Sequence, residues 1–450
     1  MTRCCILLIT IFISVHSYPQ LTPVQIAERN KPGTVMILAN FKGIVKITQA
    51  VPDNAAIDTL VADLSSQVEQ GLLAKEQVWH NYIMSFCKNI DRYMMKGDRV
   101  LTKELNIKML GSGFIITPDG YVITNCHVVD ENDEVTQQSF AEQTFQEIIE
   151  DDIQSMEEKS GRKLTAEEAE AITNANSWYF SQTMNVSDIE KTFTVVIGVT
   201  GKDGKIVPKS FIAELIIKGE PIPGKDVAIL KLPERNDYPT IRIGDDKSLR
   251  VGDQVFALGY PGVATFHELI SEESVSEATL TRGIVSAKKN MKEGWEVLQT
   301  DAAITHGNSG GPAMNEKGEV IGLITFTSVD MERKQDIQGM NFVVPSTIVQ
   351  EFIKKAKINP EMSKVSLLYE EGMDLFDKSW YKKALKKFSQ VKAVNKAYPF
   401  IDKYIADTEN NIKRGLDKEP NNTLYYIGGG ILVAVIVLVT IFRKSRQKNA

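Results

Sequence analysis

Residues 192–344 impose the strongest constraint on this chain, because they read as short strands and tight turns with a glycine-rich turn set among them. The strand-like runs include Thr194-Val-Val-Ile-Gly-Val, Asp226-Val-Ala-Ile-Leu-Lys-Leu, Gln254-Val-Phe-Ala-Leu and Val320-Ile-Gly-Leu-Ile-Thr-Phe. Many short strands at regular spacing call for a sandwich or a barrel. Into this pattern falls Gly307-Asn308-Ser309-Gly310-Gly311-Pro312. A flexible linker would not end in a rigid proline and run on into strands, so the turn is part of the fold.

Composition narrows the class. With 52 Lys+Arg against 58 Asp+Glu in 450 residues, the net charge of −6 excludes a phosphate-coating protein, and no nucleic-acid partner is expected. At 43% hydrophobic and 24% charged, the chain is globular and not disordered. The ends suggest a compartment. Arg3, an apolar run over 4–15 and small residues up to Ser17 read as a signal peptide, 1–17. Residues 424–442 carry no charge and would cross about 30 Å of hydrocarbon as a helix. Arg443, Lys444, Arg446 and Lys448 mark 443–450 as a cytoplasmic tail. The expectation is a single-pass membrane protein with residues 18–423 outside the cytoplasm. That compartment would permit a Cys87–Cys126 disulfide, while two buried free thiols are the simpler reading.

Other segments change period. Residues 32–49 read as a strand pair, and residues 53–96 carry apolar positions at helical spacing. A second helical stretch lies within 131–190. It is acidic, with 14 Asp/Glu against three Lys/Arg over 130–170.

Three segments carry chemistry. One runs Gly111-Ser-Gly-Phe-Ile-Ile-Thr-Pro-Asp-Gly-Tyr-Val-Ile-Thr-Asn-Cys-His127, the second opens at Asp226, and the third holds Ser309. A serine hydroxyl needs an adjacent base, imidazole titrates near working pH, and a carboxylate fixes the ring's tautomer. Glycines around Ser309 let the N–H groups of Gly307 and Ser309 converge on a developing oxyanion. Taken alone, a histidine after a strand or an aspartate before one is usually structural. The order His, Asp, Ser matches chymotrypsin-like proteases.

These segments, with Gly283-Ile-Val-Ser-Ala and Gly339-Met-Asn-Phe-Val-Val-Pro345, resemble the HtrA (Deg-like) family of trypsin-fold serine proteases. The resemblance implies a mainly β, chymotrypsin-like double barrel of two six-stranded antiparallel sheets, spanning 18–358 with helical insertions near 53–96 and 131–190. It implies His127 as general base, Asp226 as orienting carboxylate, Ser309 as nucleophile and Gly307 with Ser309 as oxyanion hole. Ile324, Thr325 and Phe326 would be the strand that pairs with substrate. Protein or peptide substrates and a homotrimer follow from the same likeness. The expected function is a membrane-tethered serine endopeptidase of unfolded or regulatory proteins; the alternative is a non-catalytic chaperone or adaptor.

The departures matter as much. Thr305-His306 stands where the family commonly has Asn-Pro, and His306 reads as a surface turn residue. His267 and residues 268–277 enlarge a loop. No His or Cys spacing suits a metal, so no cofactor is expected. In place of a PDZ module, residues 359–418 read as helices. Gly372, Ala384, Phe388 and Pro399 partly match the tetratricopeptide pattern. This TPR-like hairpin, or the acidic insertion, could take a protein partner.

Overall fold

The computed structural model describes residues 20–132, 134–262, 277–330, 335–420, 435 and 437–439. The expected signal peptide, the cytoplasmic tail and the loop at 263–276 that holds His267 lie outside the described residues.

Two closed barrels form the body. In the first, β1 (Thr34–Pro52), β2 (Met94–Ile115), β3 (Tyr121–Thr124), β4 (Asn185–Thr200), β5 (Ile206–Lys218) and β6 (Ala228–Lys231) close in the order β1-β2-β3-β6-β5-β4. In the second, β7 (Gln254–Gly259), β8 (Thr279–Asn290), β9 (Glu296–Thr300), β10 (Pro312–Met314), β11 (Val320–Asp330) and β12 (Gln335–Pro345) close as β10-β11-β12-β9-β8-β7. The expected mainly β double-barrel architecture is therefore what the chain adopts. Closure leaves no free sheet edge around the ring and turns alternate side chains inward. Met36, Phe114, Ile123 and Ile229 of the first barrel share one buried cluster with Phe256, Leu258, Met314 and Val344 of the second. Burying such side chains stabilises the pair by about 1.5–3 kcal/mol each.

One local expectation is corrected. Residues 32–49 are not a strand pair; Pro32 and Gly33 end a 3-10 turn, and from Thr34 onward the segment lies on the single 19-residue strand β1. Gly43 looks like a turn in sequence, but the strand runs straight through it. Its pairing with β4 shifts register between Lys42 and Ile44, and a Cβ there would sit 3.2 Å from Val186 Cγ1. The glycine marks a bulge.

Helices fill the excursions from the first barrel. Between β1 and β2 come α2 (Asn54–Glu69), α3 (Val78–Lys88) and α4 (Ile90–Tyr93), and after the histidine segment come α6 (Glu134–Ser160) and α7 (Ala166–Ser181). The remaining helices of this unit are α1 (Pro23–Asn30), α5 (Cys126–Val129) and α8 (Ser346–Lys355). The two insertions meet at Glu168 of α7, whose side chain is fully buried. Arg162 grips it through two bonds of 2.8 and 2.6 Å, and His80 of α3 lies 3.1 Å from Glu168 Oε1.

A second unit comprises residues 199–205 and the chain from Lys364. Its helices α9 (Lys364–Asp377), α10 (Tyr381–Val394) and α11 (Ile401–Lys413) enclose Tyr369, Phe388 and Tyr404. Gly372 lets α9 approach α10, since a Cβ there would lie 2.5 Å from Phe388 Cε1. Thr200 Oγ1 donates to the Tyr398 carbonyl at 2.6 Å.

The expected transmembrane helix is the second correction. Among the described residues no helix is long and apolar enough to cross a membrane. Of the expected span at 424–442, only Val435 and residues 437–439 are described. That expectation rested on the uncharged run and the basic residues after it, and the described residues contain no helix that carries it.

The Glu168 contact generates a pH prediction. The Arg162 hydrogen bonds, aided by Thr165 and His80 and opposed by burial, hold this carboxyl down at about 2, below its ordinary 4.5. A depressed carboxyl contributes stability that is present above the unfolded value and lost as pH falls through the folded one. Stability should therefore decline between about pH 4.5 and pH 2, and Glu168→Gln should flatten that decline in denaturant titrations at successive pH values.

Candidate active site

The site is assembled from both barrels. After β3 the chain enters the single turn α5, which sets His127 beside Asp226, just before β6. Asn125 anchors this approach, its side-chain amide donating to the Asp226 carbonyl at 2.7 Å. The His127 ring lies with Nδ1 2.8 Å from Asp226 Oδ2, and the His127 backbone N–H donates to Oδ1 at 2.9 Å. From the second barrel, Thr325 Oγ1 donates to Asp226 Oδ2 at 2.6 Å. Asp226 has no solvent exposure, whereas the His127 side chain is 24% exposed. Burial pushes the aspartate carboxyl up, but the His127 charge and the bonds from His127 and Thr325 outweigh it and hold the carboxyl below its ordinary value.

Ser309 lies in the turn between β9 and β10. Its hydroxyl donates to the Thr325 carbonyl at 3.0 Å. Serine, threonine, aspartate and histidine are thus linked in one chain. Gly307 has φ +99°, and a Cβ there would lie 2.4 Å from the Tyr260 carbonyl oxygen, so both conformation and space require glycine. Gly310 is bound the same way, with φ +89° and a Cβ that would meet the Ser112 carbonyl at 2.1 Å. Among the described residues the N–H groups of Gly307 and Ser309 donate to no backbone carbonyl.

The structure joins His127 to Asp226, Asp226 to Thr325 and Thr325 to Ser309, with Gly307 two residues before the serine in the same turn. It divides the strand 324–326 differently from the expectation. Ile324 commits its N–H to Gly311 and its carbonyl to Gly310, both at 2.9 Å, so its backbone belongs to the turn. Thr325 faces Ser309 and Asp226 at once. Phe326 continues β11. His306 is exposed on the rim of the turn. Cys126, next to His127, is buried and free; burial pushes its thiol well above the ordinary value, which leaves it unreactive. Cys87 is also free. Among the described residues no group of three or more His, Cys, Asp or Glu is placed to hold a metal.

Two contributors are not visible in the sequence reading. Thr325 was expected only as a substrate strand, yet its hydroxyl holds the aspartate. Ser112, in the first histidine-bearing segment, is fully buried and clamps the nucleophile turn. Its hydroxyl donates to the Gly307 carbonyl at 2.6 Å and accepts from the Tyr260 N–H at 2.9 Å, while its N–H donates to the Ser309 carbonyl at 2.7 Å. A polar residue flanked by glycines ahead of an apolar strand was the available signal.

Residues 111–323 match the family model of the trypsin-like peptidase domain, a span that contains His127, Asp226 and Ser309. The chain is similar to a "Probable periplasmic serine endoprotease DegP-like" of Pseudomonas savastanoi pv. phaseolicola, at 27% identity over 60% of this chain and 38% of that protein. It is similar to the "Serine protease Do-like HtrA" of Lactobacillus helveticus at 32% identity, over 33% of this chain and 36% of that one. A DegP-like relative from Hahella chejuensis matches at 27% over 71% of this chain and 49% of its own length. The chain therefore spans less than half the length of these curated relatives. Among solved structures, "HtrA-type protease AlgW with decapeptide" aligns at 18% identity and TM-score 0.37, covering 75% of this chain and 68% of that one. That likeness is too distant to bear on the site.

The Ser112 clamp generates a prediction. Ser112→Ala removes the donor that fixes the Gly307 carbonyl, and with it the orientation of the adjoining N–H groups. Turnover of a peptide substrate should fall by about 10- to 100-fold, within the cost of losing an oxyanion donor, while KM changes little. Ser112→Thr, which keeps the hydroxyl, should retain more activity in the same steady-state assay.

Proposed function

We propose that this chain is a serine-type endopeptidase that acts outside the cytoplasm on unfolded or regulatory protein chains through an acyl-enzyme. The observation that carries the reading is the linked set Ser309, Thr325, Asp226 and His127 beside the N–H groups of Gly307 and Ser309. His127 takes the Ser309 proton as the hydroxyl attacks the scissile carbonyl. Asp226, ionised and buried against Nδ1, holds the ring in the tautomer whose Nε2 accepts the serine proton and stabilises the imidazolium that forms. The tetrahedral oxygen enters the hole made by Gly307 and Ser309. His127 then returns its proton to the leaving amine.

The Ser309 hydroxyl rests on the Thr325 carbonyl. An extended substrate that donates a main-chain N–H to this carbonyl would displace the hydroxyl toward His127, so that substrate binding prepares the nucleophile. The DegP-like relatives are named as periplasmic serine endoproteases, which supports both the reaction class and the compartment. For the second unit the reading is a TPR-like module that takes a protein partner, supported by the close packing of Gly372 and Ala384 with Phe388.

Incubating the full chain with a reduced, unfolded protein and mapping products by mass spectrometry tests the reading. Discrete cleavage sites are expected with the wild type, and a loss of at least about 10³-fold in rate with Ser309→Ala. Equal cleavage by the Ser309→Ala protein would sink it.

A further inference from the structure

Between the two helical insertions lies a cavity of about 290 Å³, lined from α2, α3, α4, α6, α7 and the outer ends of β1 and β2. Its walls are apolar, formed by Ile57, Tyr82, Ile83, Phe86, Met156 and Ile172. Polar groups gather on one side. Asp152, Ser155 and Lys159 follow one face of α6, and Asn176 meets them from α7. Asn176 Nδ2 donates to Asp152 Oδ2 at 2.9 Å. Among the described residues this leaves the other Asp152 carboxylate oxygen and the Asn176 amide oxygen without a donor. A mostly apolar pocket with a few convergent polar groups is the usual form of a small-molecule site.

We propose that this cavity binds a small apolar amine, its body among the aromatic and aliphatic walls and its ammonium donating to Asp152 and Asn176. Two neighbouring acceptors ask for a ligand with at least two N–H donors. An anion would face the Asp152 carboxylate, and a hydrocarbon would cover that carboxylate without giving it a donor. Burial, with the neighbouring Asp151 charge and eased only in part by Asn176 and Lys159, already raises the Asp152 carboxyl above its ordinary value, and a bound cation relieves that cost. Lys159 is exposed, so its ammonium stays in water at the rim. Cys87 also lines the cavity; burial pushes its thiol up to about 11, which makes it wall and not nucleophile. The volume is nearly twice the ~150 Å³ that accommodates benzene, which suits a body of up to two fused rings. All the lining residues belong to the insertions and the adjoining strand ends, so the site stands independently of the peptidase reading.

Tryptamine is the probe. Titrated into the full chain by calorimetry, it should bind saturably at one site. With methionine methyls labelled with ¹³C, the signals of Met94 and Met156, both in the lining, should move. Asp152→Asn, nearly the same shape without the charge, should weaken tryptamine by about tenfold or more, the worth of a charge-assisted hydrogen bond. The amine-free 3-ethylindole should bind the wild type about tenfold more weakly than tryptamine. Ala175→Leu, which fills the cavity from α7, should remove binding, with circular dichroism checking its fold; should it not fold, the Asp152→Asn and methyl measurements decide. No saturable binding at millimolar tryptamine, unmoved Met94 and Met156 methyls, or equal affinity in Asp152→Asn would each overturn the proposal.

Discussion

The buried carboxylate of Asp226 organises this molecule. It has no contact with solvent, and an ion so placed is costly unless donors surround it. Three donors do so: the His127 backbone, the His127 ring and the Thr325 hydroxyl. The first two belong to one barrel and the third to the other. The electrostatic requirement of a single side chain thus ties the barrels together at the place where chemistry can occur. It also fixes the histidine ring, since Nδ1 is committed to the aspartate.

Ser112 makes a second tie of the same kind without charge. Its backbone and hydroxyl reach from β2 into the nucleophile turn, and the turn's glycines allow the close approach that this needs. The clamp holds the Ser309 backbone carbonyl, and Thr325, which also bonds Asp226, takes the Ser309 hydroxyl. Positive φ and the close approach of the Tyr260 and Ser112 carbonyls explain why Gly307 and Gly310 tolerate no side chain. Among the described residues the helical insertions supply none of the donors to Asp226. Their own internal tie is Glu168, held by Arg162 from its own insertion and His80 from the other, and their layer encloses the apolar cavity.

Local motifs were legible in the sequence; long-range partners were not. The strand-rich body and the glycine turn were plain because strand alternation and turn chemistry are short-range signals. His127, Asp226 and Ser309 each sat in a recognisable segment, and the fold brings those segments together. The Thr325 bond to Asp226 spans 99 residues and the Ser112 bond to Gly307 spans 195, distances over which no spacing rule operates. The same holds for His80 and Glu168, 88 residues apart. Gly43 misled because a glycine in an apolar run signals either a turn or a bulge, and only pairing with β4 decides. The apolar run at 424–442 misled in another way: its composition suits a membrane, but the described residues contain no helix able to span one.

The central claim is that Ser309 is a nucleophile activated by His127. The most direct measurement is covalent labelling of the full chain by a fluorophosphonate, with the adduct located by mass spectrometry. The account predicts a single adduct on Ser309 that is lost in His127→Ala and sharply reduced in Asp226→Asn. An unlabelled Ser309 in the wild type, or labelling that persists unchanged in His127→Ala, would contradict it.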